Sequence, residues 1–422
     1  MKIVILGGGF GGVYTLKYLH KFFHIRGLTR ILTRPSAGKA GISENFKLVL
    51  VNKKNYFLFT PLLHEVVTGS ISLENLVEPV REIIKCCDYE FIHGEVERID
   101  LEKKIVELNE IKLNYDCLVI ALGSKTNFYN ISGAKENSFT LKSLDDAIKL
   151  RNHFIHMFEI ASKNQDEGLL TFIIVGGGAT GVELAGEMSD YFYKTFSKFY
   201  SKEIISKVKI ILIERGNELI PQFSPKLRKI ALEVLKKKNV EVILEKGVKE
   251  VGKDFIKLED ERIIKTKTVI WTAGVEPNLP EIIGNIEKDN RGRLIVNEYL
   301  QVKNYNNVFS IGDACCYLQN QKPLPQLAQV AVRQAEIVAK NIFNLIKNKP
   351  LEKFVYKHQG DLISLGRFFA IGEIKKISFS GFFAWILWRG VYLSKMISNK
   401  DKIKTFTDWL LDFFYSRDTT EI

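Results

Sequence analysis

Glu214 closes an apolar run, residues 208–213, that follows a helical pattern opened by Gly176-x-Gly178-x-x-Gly181. Strand, glycine turn, helix, strand and acid in that order make a dinucleotide-binding unit. Gly176 permits a tight turn, Gly178 lets backbone N–H groups approach a pyrophosphate at the helix N-terminus, and Gly181 lets the helix pack closely on the strand. Glu214 can then accept both hydroxyls of an adenosine ribose. The same fingerprint opens the chain, where the apolar run from Lys2 leads into Gly7-x-Gly9-x-x-Gly12. Two such units in one chain imply two nucleotides held side by side, an arrangement that passes electrons between them.

The elements that position these residues follow in order. A helix over 13–23 leads into residues 21–43, which carry five basic residues and no acid and read as an exposed loop. A strand over 47–51 ends at Asn52, where a flavin-type unit usually places an acid. Asn52 can accept one hydrogen bond and donate another, without charge. Residues 56–69, with Pro61 and Leu62, read as a core segment or as an apolar wall for a flat ring system. Residues 90–96 and 104–108 read as strands of a meander, and 115–122 as a buried strand ending in Gly123, where backbone can approach a nucleotide. Residues 307–312 form a further strand that ends before Asp313. Pro323 and Pro325 then mark the start of a helix near Leu327. The positive end of that helix suits negative charge developing on a ligand. Gln329 and Arg333, one turn apart, face one side of it.

Bulk properties exclude several classes. A chain of 422 residues with 46% apolar residues is globular and holds two or three domains. The net charge of +12 needs an anionic surface or partner. No nucleic-acid module is present, so an anionic membrane surface is expected. The five cysteines, Cys86, Cys87, Cys117, Cys315 and Cys316, lack metal spacing, so no metal site is expected. The first strand is expected to begin at residue 2, so no signal or transit peptide is expected. No run of 18 apolar residues exists to span a bilayer.

The C-terminal stretch points to location. Phe382, Trp385, Ile386, Leu393 and Met396 fall on one helical stripe, and Phe406, Trp409, Leu410, Phe413 and Phe414 on a second. Lys375, Lys376, Arg389, Lys395, Lys400, Lys402 and Lys404 face only Glu373 and Asp401 in this stretch. Apolar stripes flanked by base suit helices lying in a bilayer interface, with three of the four tryptophans as anchors. Arg389 interrupts the first stripe, and is expected to snorkel to lipid phosphate or to pair with Asp408 or Asp412.

The runs 118–127, 141–153, 176–187 and 269–275 together resemble the type II NADH:quinone oxidoreductases, and the resemblance extends over nearly the whole chain. It implies an α/β fold with two Rossmann-type dinucleotide-binding domains, one for FAD and one for NADH, plus a C-terminal amphipathic-helix region that anchors to the membrane. The expected segments are 1–144 and 291–350 for the FAD domain, 145–290 for the NADH domain and 351–422 for the membrane-associating region. FAD would meet Gly7, Gly9, Phe10, Gly11, Gly12, Asn52, Lys53, Leu62, Val96, Ala121, Gly123, Asp313, Ala328 and Gln329. NADH would meet Gly176, Gly178, Thr180, Gly181, Glu183, Glu214 and Gly274. The resemblance places Glu183 near nicotinamide and flavin as a proton relay or an NADH-holding group, with His64 and Gln329 weaker candidates for the relay. Ala328, Gln329 and Ala331 match the family's quinone-bordering pattern, and Arg333 departs from it.

The expected function is oxidation of NADH with two-electron reduction of a membrane quinone, without proton pumping, by a peripheral enzyme on the cytoplasmic face of the cell membrane. The sequence leaves room for a homodimer. A sulfide:quinone oxidoreductase-like flavoprotein is the first alternative, although only vicinal Cys315 and Cys316 are at hand for sulfur chemistry. A membrane-bound NADH-sensing flavoprotein with little turnover is the second.

Overall fold

The computed structural model describes residues 1–25, 46–83, 89–109, 111–164, 166–375 and 377–421. Most of the basic segment 21–43, together with Cys86 and Cys87, lies outside the described residues. The chain forms two compact units, each assembled from separate stretches: Met1–Phe57, Glu78–Lys125 and Val275–Lys357 in the first, and Leu58–Val77, Thr126–Gly274 and His358–Ile422 in the second. These units divide the chain differently from the expected functional segments. Leu62, Leu63, Val66 and Val67 are buried, and the short helix that carries three of them, Leu63–Val67, packs on the helices Leu144–Ala161 and Ala179–Asp190. That burial fixes residues 58–77 in the second unit.

The first unit centres on a five-stranded sheet in the order Val308–Ser310, Cys117–Ile120, Lys2–Leu6, Lys47–Asn52, Tyr89–His93, with every pairing parallel. Its strands read as continuous apolar runs because both faces are covered; Ile3, Val4, Ile5 and Leu6 are all fully buried. The sheet claims Tyr89–His93 as an edge strand, in register with Leu48 to Asn52. That segment is therefore no part of a meander, which begins only at Arg98 and runs through Arg98–Asp100, Ile105–Leu108 and Ile111–Asn114. Helices Phe10–Ile25 and Ala328–Ile346 pack against each other over the sheet, with the rings of Phe23 and Phe343 6.0 Å apart.

The second unit repeats the plan with four parallel strands in the order Val240–Ile243, Lys209–Ile213, Thr171–Val175, Thr268–Trp271. Helix Leu144–Ala161 starts on a capping box in which Ser143 and Asp146 satisfy each other's backbone N–H groups. It brings Phe154 and Phe158 onto Phe172, Phe192 and Phe196, a buried aromatic block. The unit ends in a three-stranded antiparallel sheet, Asp361–Ser364, Ala370–Ile374 and Ile377–Gly381, followed by helices Phe382–Lys395 and Asn399–Phe414. Among the described residues no helix is long and apolar enough to cross a membrane.

Candidate functional site

Both glycine turns take the geometry their spacing requires. In the first, a side chain at Gly12 would place its Cβ 1.8 Å from the Gly7 carbonyl oxygen, while one at Gly9 would meet nothing within 4 Å. The second turn matches it: a Cβ at Gly181 would fall 2.0 Å from the Gly176 oxygen, and Gly178 is open. The third glycine of each turn thus lets strand and helix touch. The second leaves a clear approach to the first N–H groups of helices Phe10–Ile25 and Ala179–Asp190, where a pyrophosphate is stabilised by the helix dipole. Both cradles fit a dinucleotide. Thr180 lies exposed on the first turn of the second helix.

The residues ending the second strands are held by backbone. Asn52 Oδ1 accepts from Gly8 N at 2.8 Å, and its Nδ2 donates to the Lys54 carbonyl at 2.7 Å. Glu214 accepts from Gly177 N and Gly216 N, both at 2.6 Å, one on each carboxylate oxygen. An anion fixed by two N–H groups at a glycine turn is set to meet a ribose diol. Ala121 and Gly123 follow strand Cys117–Ile120 of the first sheet, and Gly274 follows the corresponding strand Thr268–Trp271 of the second. In the first unit Asp313 sits on a short turn after strand Val308–Ser310, its Oδ2 receiving the Ser124 hydroxyl at 2.6 Å. Phe10 lies edge-on to Phe57 with centroids 5.1 Å apart, Lys53 pairs with Glu95 at 3.6 Å, and Val96 is half-buried. Leu62 is fully buried in the second unit.

Helix Ala179–Asp190 carries more than its turn. Glu183 is buried, and its Oε1 accepts from Ser364 N at 3.2 Å. Burial raises its carboxyl well above the usual range, and the charges of Glu65 and Glu187 push the same way. One turn on, Glu187 Oε2 takes 2.6 Å from Arg417 Nη1. Glu65 is fully buried beside them and accepts from Trp409 Nε1 at 2.7 Å. Burial lifts its pKa to about 7 against the opposing pull of Arg389. His64 is buried and neutral, its pKa driven down to about 3 by burial and then by the charge of Arg417.

A family model described as pyridine nucleotide-disulphide oxidoreductase matches residues 1–335, and a second, the NDH2 C-terminal domain, matches 358–418. A probable NADH dehydrogenase of Dictyostelium discoideum is 34% identical, with 99% of this chain and 90% of the relative covered. A type II NADH:quinone oxidoreductase of Staphylococcus saprophyticus is 32% identical over 88% of this chain and 89% of its own. The chain belongs to the type II NADH:quinone oxidoreductases. Its fold agrees with NDH2 from Plasmodium falciparum, solved in complex with NADH, at a TM-score of 0.88 and 23% identity, covering 99% of both chains. As a member of this family the chain is an FAD-dependent oxidoreductase of NADH and quinone.

In this type II oxidoreductase the helix Ala328–Ile346 begins at the predicted place, with Gln329 half-buried on its first turn. Arg333 is about half exposed and pairs with Glu336 at 3.3 Å. Gln334 is the fixed polar residue of this turn: it is buried, its Oε1 takes the Gly312 N–H at 2.7 Å, and it thereby ties the helix to the Asp313 turn. Cys315 and Cys316 are buried on a short strand, and burial raises both thiols, so neither is a ready nucleophile.

The C-terminal stripes divide differently from their pattern. Trp385, Trp388 and Trp409 are all buried, so none anchors at an interface. The outward face is Phe382, Phe383, Ile386 and Leu387 on one helix with Phe406, Leu410, Phe413 and Phe414 on the other. Arg389 turns inward instead of snorkelling: its guanidinium lies 3.8 Å from the Trp385 ring centroid and 4.6 Å from that of Trp409. Neither expected carboxylate pairs with it: Asp412 is taken by Arg417 and Arg367, and Asp408 by Ser72 N and Asn75 Nδ2 at 2.7 Å each. The sequence reading missed Glu65, Glu187 and Arg417, because a charged residue in an apolar stretch or a short polar tail carries no periodic signal.

Proposed function

We propose that this chain carries electrons from NADH to a membrane quinone with the residue roles that follow. The pair of glycine cradles, one in each unit, carries the reading. The first cradle holds FAD through Gly7, Gly9, Gly11 and Gly12, with Asn52 and Asp313 as polar ends. The second takes NADH on Gly176, Gly178 and Gly181, with Glu214 on the ribose. Bound FAD supplies the hydride acceptor and the two-electron donor. The chain's own residues position the two substrates and manage the proton. Gln329 offers a hydrogen-bond donor to a quinone carbonyl, where such a donor gains strength as charge develops, and Arg333 adds a cation one turn on. Glu183, kept protonated by burial, passes a proton.

The exposed apolar face of the last two helices lies in an anionic bilayer surface on the cytoplasmic side. Eight large side chains presented together exceed what a soluble surface ordinarily shows, and Lys395 and Lys400 lie exposed nearby. Rapid mixing of anaerobic enzyme tests the quinone assignment. Gln329→Leu and Arg333→Leu should leave NADH bleaching of the flavin nearly intact and slow reoxidation by quinone roughly tenfold to a thousandfold, the range for losing one donor to developing charge. Parent rates in both variants would remove the assignment.

A further inference from the structure

Within the second unit, four carboxyls are buried together: Glu65, Glu183, Glu187 and Asp412. Three guanidiniums answer them. Arg417 bonds Glu187 through Nη1 at 2.6 Å and Asp412 through Nε at 3.1 Å. Arg367 reaches the other oxygen of Asp412 at 3.7 Å and also donates to its carbonyl. Arg389, sandwiched by Trp385 and Trp409, acts on Glu65. Neighbouring charges have their own partners: Asp190 is held by buried Lys238 and by solvent-exposed Lys194, each at 2.5 Å, and Asp418 by Arg151 at 2.7 Å. Four carboxyls against three guanidiniums leave one negative charge uncompensated. An unpaired buried charge is costly enough that the group takes up a proton instead.

The position of that proton follows from the partners. Glu187 and Asp412 hold direct arginine contacts. Glu183 has one backbone N–H and Glu65 one indole N–H, both neutral donors. Each feels the other's charge. Around Glu65 stand Glu183 and Glu187 from helix Ala179–Asp190, Arg389 from Phe382–Lys395, Trp409 from Asn399–Phe414, Arg417 from the tail, and His64 beside it. Buried His64 Nε2 has no hydrogen-bond partner among the described residues, so polar capacity remains along this wall.

The reaction consumes one proton. Hydride leaves C4 of NADH, which is oxidised by two electrons, and quinone gains those two electrons and two O–H bonds. One of the two protons travelled with the hydride; the other comes from the medium. We propose that Glu65 and Glu183 share one stored proton, kept in the interior by the charge imbalance of this cluster, and that this is the proton quinone reduction draws. Glu183 hands it on, receiving it from Glu65 when it resides there, and the emptied pair then takes one proton back from the medium before the next turnover. This rests on the role given to Glu183 above. Glu65 is a proton-holding residue with no substrate contact.

The test uses the full-length enzyme with FAD bound. Infrared titration of the parent should show one buried protonated carboxyl that ionises near about 7. Glu65→Gln keeps the acceptor for Trp409 and should remove that titration. It should also slow quinone reoxidation at mildly acid pH about tenfold or more, within the reach of a positioned acid, and flatten its pH dependence. Glu65→Asp should restore part of both. Should Glu65→Gln fail to fold, Trp409→Phe removes the indole donor that favours the charged form, and the carboxyl should then ionise about one unit higher. A parent without a protonated carboxyl, or a Glu65→Gln variant with the parent's titration and pH profile, overturns the proposal. An enzyme that shows the carboxyl but never passes electrons from NADH to quinone defeats the functional reading instead.

Discussion

Replacing Glu214 tests the nucleotide assignment most sharply, because the structure shows both what holds the residue and what it is free to do. Each oxygen of its carboxylate takes one backbone N–H at 2.6 Å, from Gly177 and Gly216. A carboxylate oxygen accepts more than one hydrogen bond, so both retain lone pairs for the ribose hydroxyls. Charge-assisted hydrogen bonds contribute about 1.5–3 kcal/mol, which converts to roughly tenfold to a hundredfold in affinity. Glu214→Ala should therefore raise the KM for NADH by that factor with little change in kcat, since the ribose lies far from the hydride. Glu214→Gln, which keeps an acceptor without charge, should fall between. In the parent, NADH should be favoured over NADPH because a 2′-phosphate would meet the carboxylate. Arg215, which could oppose this, is largely exposed and only loosely paired with Glu259 at 3.6 Å. Steady-state kinetics with both nucleotides and anaerobic NADH titration of the flavin read the effect. Equal kcat/KM for NADH and NADPH in the parent, or an unchanged KM in Glu214→Ala, would refute the reasoning.

Three further expectations follow from the second unit. Phe383 and Phe414 are 83% and 80% exposed, so Phe383→Asp with Phe414→Asp should release the protein from vesicles in a sedimentation assay without lowering its Tm. A chain cut after residue 376 is the poorer test, because it also removes Trp409 and Arg417 from the buried cluster. Arg417→Met strands Glu187 and Asp412 and should cost about 3–5 kcal/mol in denaturant unfolding, the range for breaking a buried pair; a loss within 1 kcal/mol or so would deny the cluster its place in the core. Glu65 has a folded pKa raised from 4.5 to about 7. Its contribution to stability is therefore complete below the unfolded value and lost as pH rises through the folded one. The loss is about 3 kcal/mol. Relative to the parent, Glu65→Gln should gain Tm as pH is raised across that window, and a difference independent of pH would contradict the shift.

Much of the fold is legible in the residue pattern because close packing forces it. Gly12 and Gly181 cannot carry a side chain where they touch the preceding strand, and parallel strands buried on both faces must read as apolar runs such as Phe172 to Val175. The acid or amide after each second strand is equally visible. Register and partner choice are not. Residues 89–93 have the composition of any short strand, and only pairing with Lys47–Asn52 makes them a sheet edge. At the C-terminus the helical stripes were real, but periodicity cannot say which apolar residues a neighbouring helix covers. Tryptophans that suited a membrane interface instead enclose Arg389. The buried carboxyls escaped notice for a related reason: Glu187 and Arg417 lie 230 positions apart in sequence and become a pair only in the folded unit.

The central claim is that this chain passes electrons from NADH to quinone through a flavin held on its first glycine turn. Anaerobic addition of NADH to the purified protein, followed by quinone, with flavin absorbance recorded throughout, tests it directly. Stoichiometric bleaching by NADH and full recovery of the oxidised spectrum on adding quinone is the expected result. A flavin that NADH does not bleach, or one that stays bleached in the presence of quinone, would contradict the claim.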